Sequence, residues 1–191
     1  MESAAMNVKG AVTNGTAGGL SIGRYSNAAE SMNLYFMFVL GKEVYGIAVS
    51  SVKEVMEYER VFKAPGVPDY IKGVINLRGE VVPVIDLGCR FFNARMEVTE
   101  LTSIVVVEIR DENDLIPIGV MVDSVRAVAG IAHHNLENVP EIGARIRHDF
   151  ISAIGKVDGQ FVILLNVENV LNLQELSTFD MHGKKKDTAR R

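Results

Sequence analysis

Gly46-Ile47-Ala48-Val49-Ser50-Ser51-Val52-Lys53-Glu54-Val55 aligns without a gap on Gly119-Val120-Met121-Val122-Asp123-Ser124-Val125-Arg126-Ala127-Val128, 73 positions further along. A second pair follows in the same order. Gly79-Glu80-Val81-Val82-Pro83-Val84-Ile85-Asp86-Leu87 lies on Gly159-Gln160-Phe161-Val162-Ile163-Leu164-Leu165-Asn166-Val167, and Ile71 on Ile151, at an offset of 80. Two matched segments in one order indicate a duplicated unit of roughly 60 to 70 residues, with copies near 34–92 and 103–171.

Around the matched segments the chain is built from short apolar, β-branched and aromatic runs: Leu34 to Leu40, Val44 to Val49, Val81 to Ile85, Ser103 to Ile109 and Phe161 to Leu165. Gly41-Lys42, Arg78-Gly79 and Asp158-Gly159 punctuate them, a pattern of strands joined by hairpins. Helical periods are short: Asp69 to Lys72 after Pro68, Leu87 to Phe92, and a longer one from Val167 to Leu176. A unit of about five strands is too small for an ordinary two-sheet sandwich, whereas closing a short sheet on itself removes its edges. The expected fold is mainly β, two five-stranded barrels side by side with short covering helices. Asp86 and Asn166 end matched strands just before matched helical segments, where a short acceptor side chain caps the first free backbone donors.

The 191 residues are 48% hydrophobic and 23% charged, enough to bury a core. Residues 1–31 are rich in Ala, Gly, Ser, Asn and Thr with no apolar period, so a disordered extension is expected, followed by a folded region 32–177. Within the last ten residues, five are basic and one is acidic, and 178–191 reads as a disordered basic tail. That leaves 15 basic against 23 acidic residues elsewhere, a balance that argues against nucleic acid as a partner. No apolar run approaches the roughly 18 residues needed to cross a bilayer, and no basic start precedes an apolar stretch at the N-terminus, so no direct membrane insertion and a cytoplasmic location are expected. Cys89 is the only cysteine, which excludes an internal disulfide and a thiolate metal cluster and fits a reducing compartment.

Catalytic constellations do not assemble. Gly19-Leu20-Ser21-Ile22-Gly23 has the letters of a nucleophile elbow but lies in a segment without the strand and helix that make the elbow work. Gly41-Lys42 and Gly155-Lys156 lack the Ser or Thr of a phosphate loop. His133, His134, His148 and His182 do not have the spacing that puts two imidazoles on one helix face. Glu108, Asp111, Glu112 and Asp114 cluster about a turn and read as a solvated hairpin tip, and Cys89 beside Phe91 and Phe92 reads as a small packed residue. No catalytic residue, metal ligand or cofactor is expected.

Duplication also separates scaffold from specialisation, since residues that hold the shared fold recur while those serving one surface need not. Three polar positions stand out among otherwise matched apolar neighbours: Glu54 is replaced by Ala127, Asn76 by Lys156 and Arg78 by Asp158. They read as a polar patch for a partner. Met56, Tyr58, Val61 and Phe62 among Glu57, Glu59 and Arg60 supply the apolar and charged mixture of a protein interface.

The run Ile71-Lys72-Gly73-Val74-Ile75-Asn76-Leu77-Arg78-Gly79-Glu80-Val81-Val82-Pro83-Val84-Ile85-Asp86-Leu87 resembles the G-x-x-N-x-R-G-x-x-x-P-x-x-D-L signature of the chemotaxis coupling-protein family, the CheW-like domain. Tyr35-Phe36-Met37-Phe38, Val52-Lys53-Glu54 and Gly119-Val120-Met121-Val122-Asp123-Ser124-Val125 add to the resemblance, which runs from Leu34 to Leu173. It implies two SH3-like five-stranded barrels and a non-catalytic adaptor that joins the histidine kinase CheA to the cytoplasmic tips of methyl-accepting chemoreceptors. By matching position, Val52, Glu54, Gly73, Asn76, Arg78, Val122 and Val125 would face the receptor in a groove between the barrels. Tyr58, Val61 and Phe62 would lie on the kinase-facing edge. Read from the residues alone, a small β-barrel enzyme or ligand-binding protein is the competing class.

Overall fold

The computed structural model describes residues 32–111, 114–138 and 146–172. The expected extension 1–31, the basic tail 178–191, Ser21 and His182 lie outside them. Strands β1 (Met32–Leu40), β2 (Glu43–Ala48), β3 (Val52–Glu57), β4 (Ile71–Leu77) and β5 (Glu80–Asp86) lead into helix α1 (Leu87–Phe92). Strands β6 (Ser103–Asp111), β7 (Asp114–Val122), β8 (Ser124–Ala132), β9 (Leu136–Glu137), β10 (Ile151–Val157) and β11 (Gln160–Leu165) lead into α2 (Val167–Val170). Two helical expectations are corrected. At Asp69 to Lys72 the Ile71 N–H donates to the Pro68 carbonyl at 2.9 Å, closing one turn, and β4 starts at Ile71. Four residues cannot offset the cost of helix nucleation where a strand partner is available. α2 is a single turn, and the stretch expected to continue it to Leu176 passes beyond the described residues.

One sheet has the order β8-β1-β2-β11-β10-β9 and the other β3-β6-β7-β5-β4. The sheets do not divide where the two sequence copies divide, as the boundaries 34–92 and 103–171 had suggested. Under the repeat, β1 to β5 correspond to β6, β7, β8, β10 and β11. Each sheet takes its first two equivalents from one copy and its last three from the other. The exchange is reciprocal, and its register is the same on both sides. In the parallel pair β5 with β7, Val84 lies opposite Gly119; in the parallel pair β11 with β2, Leu164 lies opposite Gly46. The two glycines are matched residues for a steric reason: a Cβ on Gly46 would sit 2.8 Å from Leu164 Cδ2, and one on Gly119 would sit 3.2 Å from Val84 Cγ2. Bulges recur too, between Ile71 and Gly73 on β4 and between Ile151 and Ala153 on β10. The chain changes sheets at the three-residue 3-10 turn Val49–Ser51 and again at Asp123, links too short to fold β3 or β8 back onto the preceding hairpin.

Closure of each sheet follows from the same geometry. β8 and β9 stand at opposite ends of the first sheet yet are joined by three residues, His133–Asn135, so the sheet curls until its ends meet. In the second, the chain leaving β3 returns to pair Phe62 with Val74 of β4. Two small SH3-like barrels result. Strand alternation then sorts the side chains into three cores. Phe38, Leu40, Tyr45 and Ile47 meet Ile85, Val105, Val107, Val120 and Val122 in a shared core between the barrels. Ile75, Val82, Val84, Ile104, Val106 and Met121 fill one barrel, and Met37, Ile131, Val162 and Leu164 fill the other. β6 and β7 are therefore buried on both faces, which is why Ile104 to Val107 is apolar without alternation. Both caps are made: Asp86 Oδ1 accepts from the Cys89 N–H at 2.9 Å and Asn166 Oδ1 from the Asn169 N–H at 3.1 Å.

Candidate functional site

The β4–β5 hairpin turns through Arg78 and Gly79, with φ of 55° and 92°, and its counterpart turns through Asp158 and Gly159, with φ of 49° and 81°. Positive φ at both central residues is the type I′ pattern that matches strand twist and favours Asn-Gly or Asp-Gly. Asp158 follows that preference. Arg78 does not, and a long side chain held there costs about 1 kcal/mol or more. Its guanidinium Nη2 donates to Glu54 Oε1 on β3 at 2.9 Å while 80% of the side chain stays exposed. Asn76 Oδ1 accepts from the Gly79 N–H at 2.8 Å and holds the turn closed. Glu54 and Arg78, two of the three polar positions singled out by comparing the copies, are thus joined directly, and the third, Asn76, braces the same turn through the Gly79 backbone. Beside it, Lys53 Nζ lies 3.1 Å from Glu108 Oε1 and 4.0 Å from Glu80 Oε2, so Glu108 is an ion-paired strand residue and not part of the hairpin tip at Asp111 and Asp114.

The other expected receptor-facing residues are distributed differently. Val52 is half-buried against the shared core and lies opposite Val107. Val125 lies on β8, the edge of the other sheet, opposite Phe38 and 38% exposed. The two are matched residues at the rim of the shared core, one from each sheet. Val122 needs correction as a contact residue: its exposure is 0%, because β7 runs through the middle of its sheet, and it supports the rim from beneath. Beyond Val125 the same face of β8 and β1 carries exposed Val128, Leu34 and Met32, apolar residues that the sequence reading did not single out.

Gly73 is buried and acts through the backbone. Its φ is 145°, and a Cβ there would collide with the Phe62 carbonyl. This close approach lets the Phe62 and Val74 amides exchange hydrogen bonds at 2.9 and 2.8 Å. Gly73→Ala is expected to cost about 2 kcal/mol of stability, read from denaturant unfolding, because the segment carrying Phe62 must lift off β4. Unchanged stability would mean that this pairing contributes nothing.

Along that segment the three expected kinase-facing residues separate. Tyr58 and Val61 are half-buried against the interior of the barrel, and the Tyr58 N–H donates to the Thr102 carbonyl at 3.0 Å. Phe62 stands out with 59% of its surface exposed. Phe62 pairs with Val74 as Glu137 of β9 pairs with Ile154, the residue matched to Val74. One copy therefore exposes an aromatic ring where the other places a carboxylate. Cys89 is buried, and burial followed by the Asp86 and Asp69 carboxylates pushes its thiol upward from the ordinary range, away from a reactive thiolate. His133, His134 and His148 are exposed, and no cluster of three metal-binding side chains occurs among the described residues. No helix among them is long and apolar enough to cross a membrane.

Residues 34–175 match the sequence profile of the CheW-like domain. The chain is similar to the chemotaxis protein CheW of Klebsiella aerogenes, 30% identical over 158 residues that cover 82% of this chain and 93% of the relative. To the chemotaxis protein CheW of Bacillus subtilis it is 32% identical over 136 residues, 71% of this chain and 85% of the relative. The crystal structure of the scaffolding protein TtCheW from Thermoanaerobacter tengcongensis superposes with a TM-score of 0.67 at 29% identity, covering 84% of this chain and 96% of that one.

Proposed function

The chain belongs to the CheW-like domain family, and from that premise we propose that it is a non-catalytic chemotaxis adaptor coupling methyl-accepting chemoreceptors to the histidine kinase CheA. In this reading it works in the cytoplasm and reaches membrane receptor arrays only through its partners. The observation that carries it is the turn at Arg78. An arginine placed in an unfavourable conformation on one copy, where the other copy uses the favoured Asp, supports a role for its side chain beyond the fold. Its pairing with Glu54 leaves most of the guanidinium facing outward, ready for a carboxylate or carbonyl of a receptor helix. Val52 and Val125 at the rim of the shared core would supply the apolar part of that contact.

Arg78→Asn tests this without setting a new carboxylate against Glu54. Asn-Gly is the preferred pair for the turn, which offsets the loss of an exposed ion pair worth about 0.2 to 1 kcal/mol. The variant is expected to melt at the same temperature or up to about 3 °C higher. Affinity for isolated receptor tips is expected to fall roughly 5- to 100-fold. Binding equal to that of the parent protein would remove Arg78 from the contact.

A further inference from the structure

Below the Phe62 segment, between residues 63–69 and the start of β4, lies a cavity of about 210 Å³ whose polar walls are Lys63, Asp69, Lys72, Asp86 and Arg95. Its carboxylates are already engaged. Asp86 is buried, with Oδ1 accepting from the Cys89 N–H at 2.9 Å and Oδ2 from the Met96 N–H at 3.2 Å. Asp69 Oδ1 accepts from Arg95 Nη2 at 2.8 Å. Neither Lys63 nor Lys72 has a carboxylate within ion-pair distance among the described residues. The lining therefore includes two lysines without a carboxylate partner and a guanidinium with donors to spare, a formal surplus of cations over the Asp69 and Asp86 carboxylates, of whose oxygens one accepts no hydrogen bond among the described residues. Such a surplus of donors suits a small, multiply charged oxyanion. The cavity is open to solvent on one side, and its volume leaves room for one tetrahedral oxyanion and part of its hydration.

We propose that this cavity binds a small phosphate-class oxyanion, held by Lys63 from the loop, Lys72 from β4 and Arg95, and that the bound ion ties the loop to the strand. Lys63 follows directly on Phe62, whose backbone is anchored to Val74, so the ion would bridge the loop to β4 just beyond that anchor. The proposal does not rest on the adaptor reading, because the ion itself is the readout.

Inorganic phosphate is the probe, added to the full chain and compared with sodium chloride at matched ionic strength. Saturable amide shifts are expected at residues 63–72 and at Arg95. The melting temperature should rise by about 3 to 6 °C at phosphate ten times its dissociation constant. The K63M/K72M double variant is expected to lose both effects, and K63M alone, at an exposed position, to weaken binding several-fold. Equal responses to chloride, shifts centred elsewhere, or full phosphate binding by the double variant would each overturn the proposal. Should the double variant fail to fold, K63M and K72M measured singly decide it: an unchanged dissociation constant in both has the same force.

Discussion

Divided after Glu97, the chain is expected to yield two fragments that are each unfolded alone and that fold when mixed in equal amounts. The reciprocal exchange of strands requires it. The first fragment would hold the β1–β2 hairpin without β8 and β11, its neighbours on either side. It would also hold β3 without β6, its only partner in the sheet, and the β4–β5 hairpin without β7. Isolated two-stranded hairpins are marginal in water, and the shared core would be cut in half, with Phe38, Tyr45 and Ile85 separated from Val107, Val120 and Phe150. The loss is the whole folding free energy, about 5 to 15 kcal/mol for a domain of ordinary stability. Circular dichroism and amide dispersion of each fragment and of the mixture read it directly. Cooperative melting of the first fragment by itself would mean that each copy can close its own barrel, and the exchange would lose its structural role.

That exchange was not legible in the amino-acid sequence, although the duplication that makes it possible was. Gly46 and Gly119, Val84 and Leu164, and Asp86 and Asn166 align by residue type alone; four of the five apolar runs fall within β1, β5, β6 and β11, and the fifth, Val44 to Val49, follows β2 and ends one residue beyond it, in the 3-10 turn. Two copies with the same alternation offer each strand two equivalent partners, however. β2 is as well patterned to lie beside β5 as beside β11, so the sequence admits both the closed and the exchanged arrangement. What decides between them is the path of the backbone at Val49–Ser51 and Asp123. Burial inside a doubly covered strand is hidden for a related reason. Along β7, Ile118, Val120 and Val122 face the shared core while Met121 faces a barrel interior, so no alternation distinguishes a contact residue from a core residue.

The candidate site divides along the same line. Glu54, Asn76 and Arg78 stand out by comparing one copy with the other; the structure joins Arg78 to Glu54 by a hydrogen bond and places Asn76 in the same turn, where it accepts from the Gly79 N–H. The pairing of Phe62 with Val74 escaped that comparison. Between Val55 and Ile71 the first copy has fewer residues than the second has between Val128 and Ile151, and the gap-free alignment stops there. Only strand pairing shows that Phe62 and Glu137 occupy equivalent places.

Phe62→Glu and Val125→Arg are expected to remove kinase binding and receptor binding separately. An adaptor adds function only by holding two partners at once, so that the second encounter becomes local, and its two surfaces cannot overlap. Phe62 lies on the barrel containing Arg78, at the far edge of β4, and Val125 lies on the edge strand of the other barrel. Tyr58, which packs against the barrel interior, would report stability as much as binding, so the exposed Phe62 is the sharper probe. Glutamate is tolerated by the backbone at the equivalent position of the second copy, so Phe62→Glu should melt like the parent protein while losing about 2 to 4 kcal/mol of kinase affinity, roughly 30- to 1,000-fold. Receptor binding should be unchanged. Val125→Arg sets a charge at the rim of the shared core, where it should cost about 1 kcal/mol of stability and a similar factor in receptor affinity, because an apolar contact would be replaced by an unpaired cation. Kinase binding should survive it. Titration of each variant against both isolated partners gives four affinities, and the two-surface arrangement requires that they fall in a crossed pattern. If either substitution abolished both interactions in a protein that still melts cooperatively, the two partners would share one surface and the chain could not bridge them.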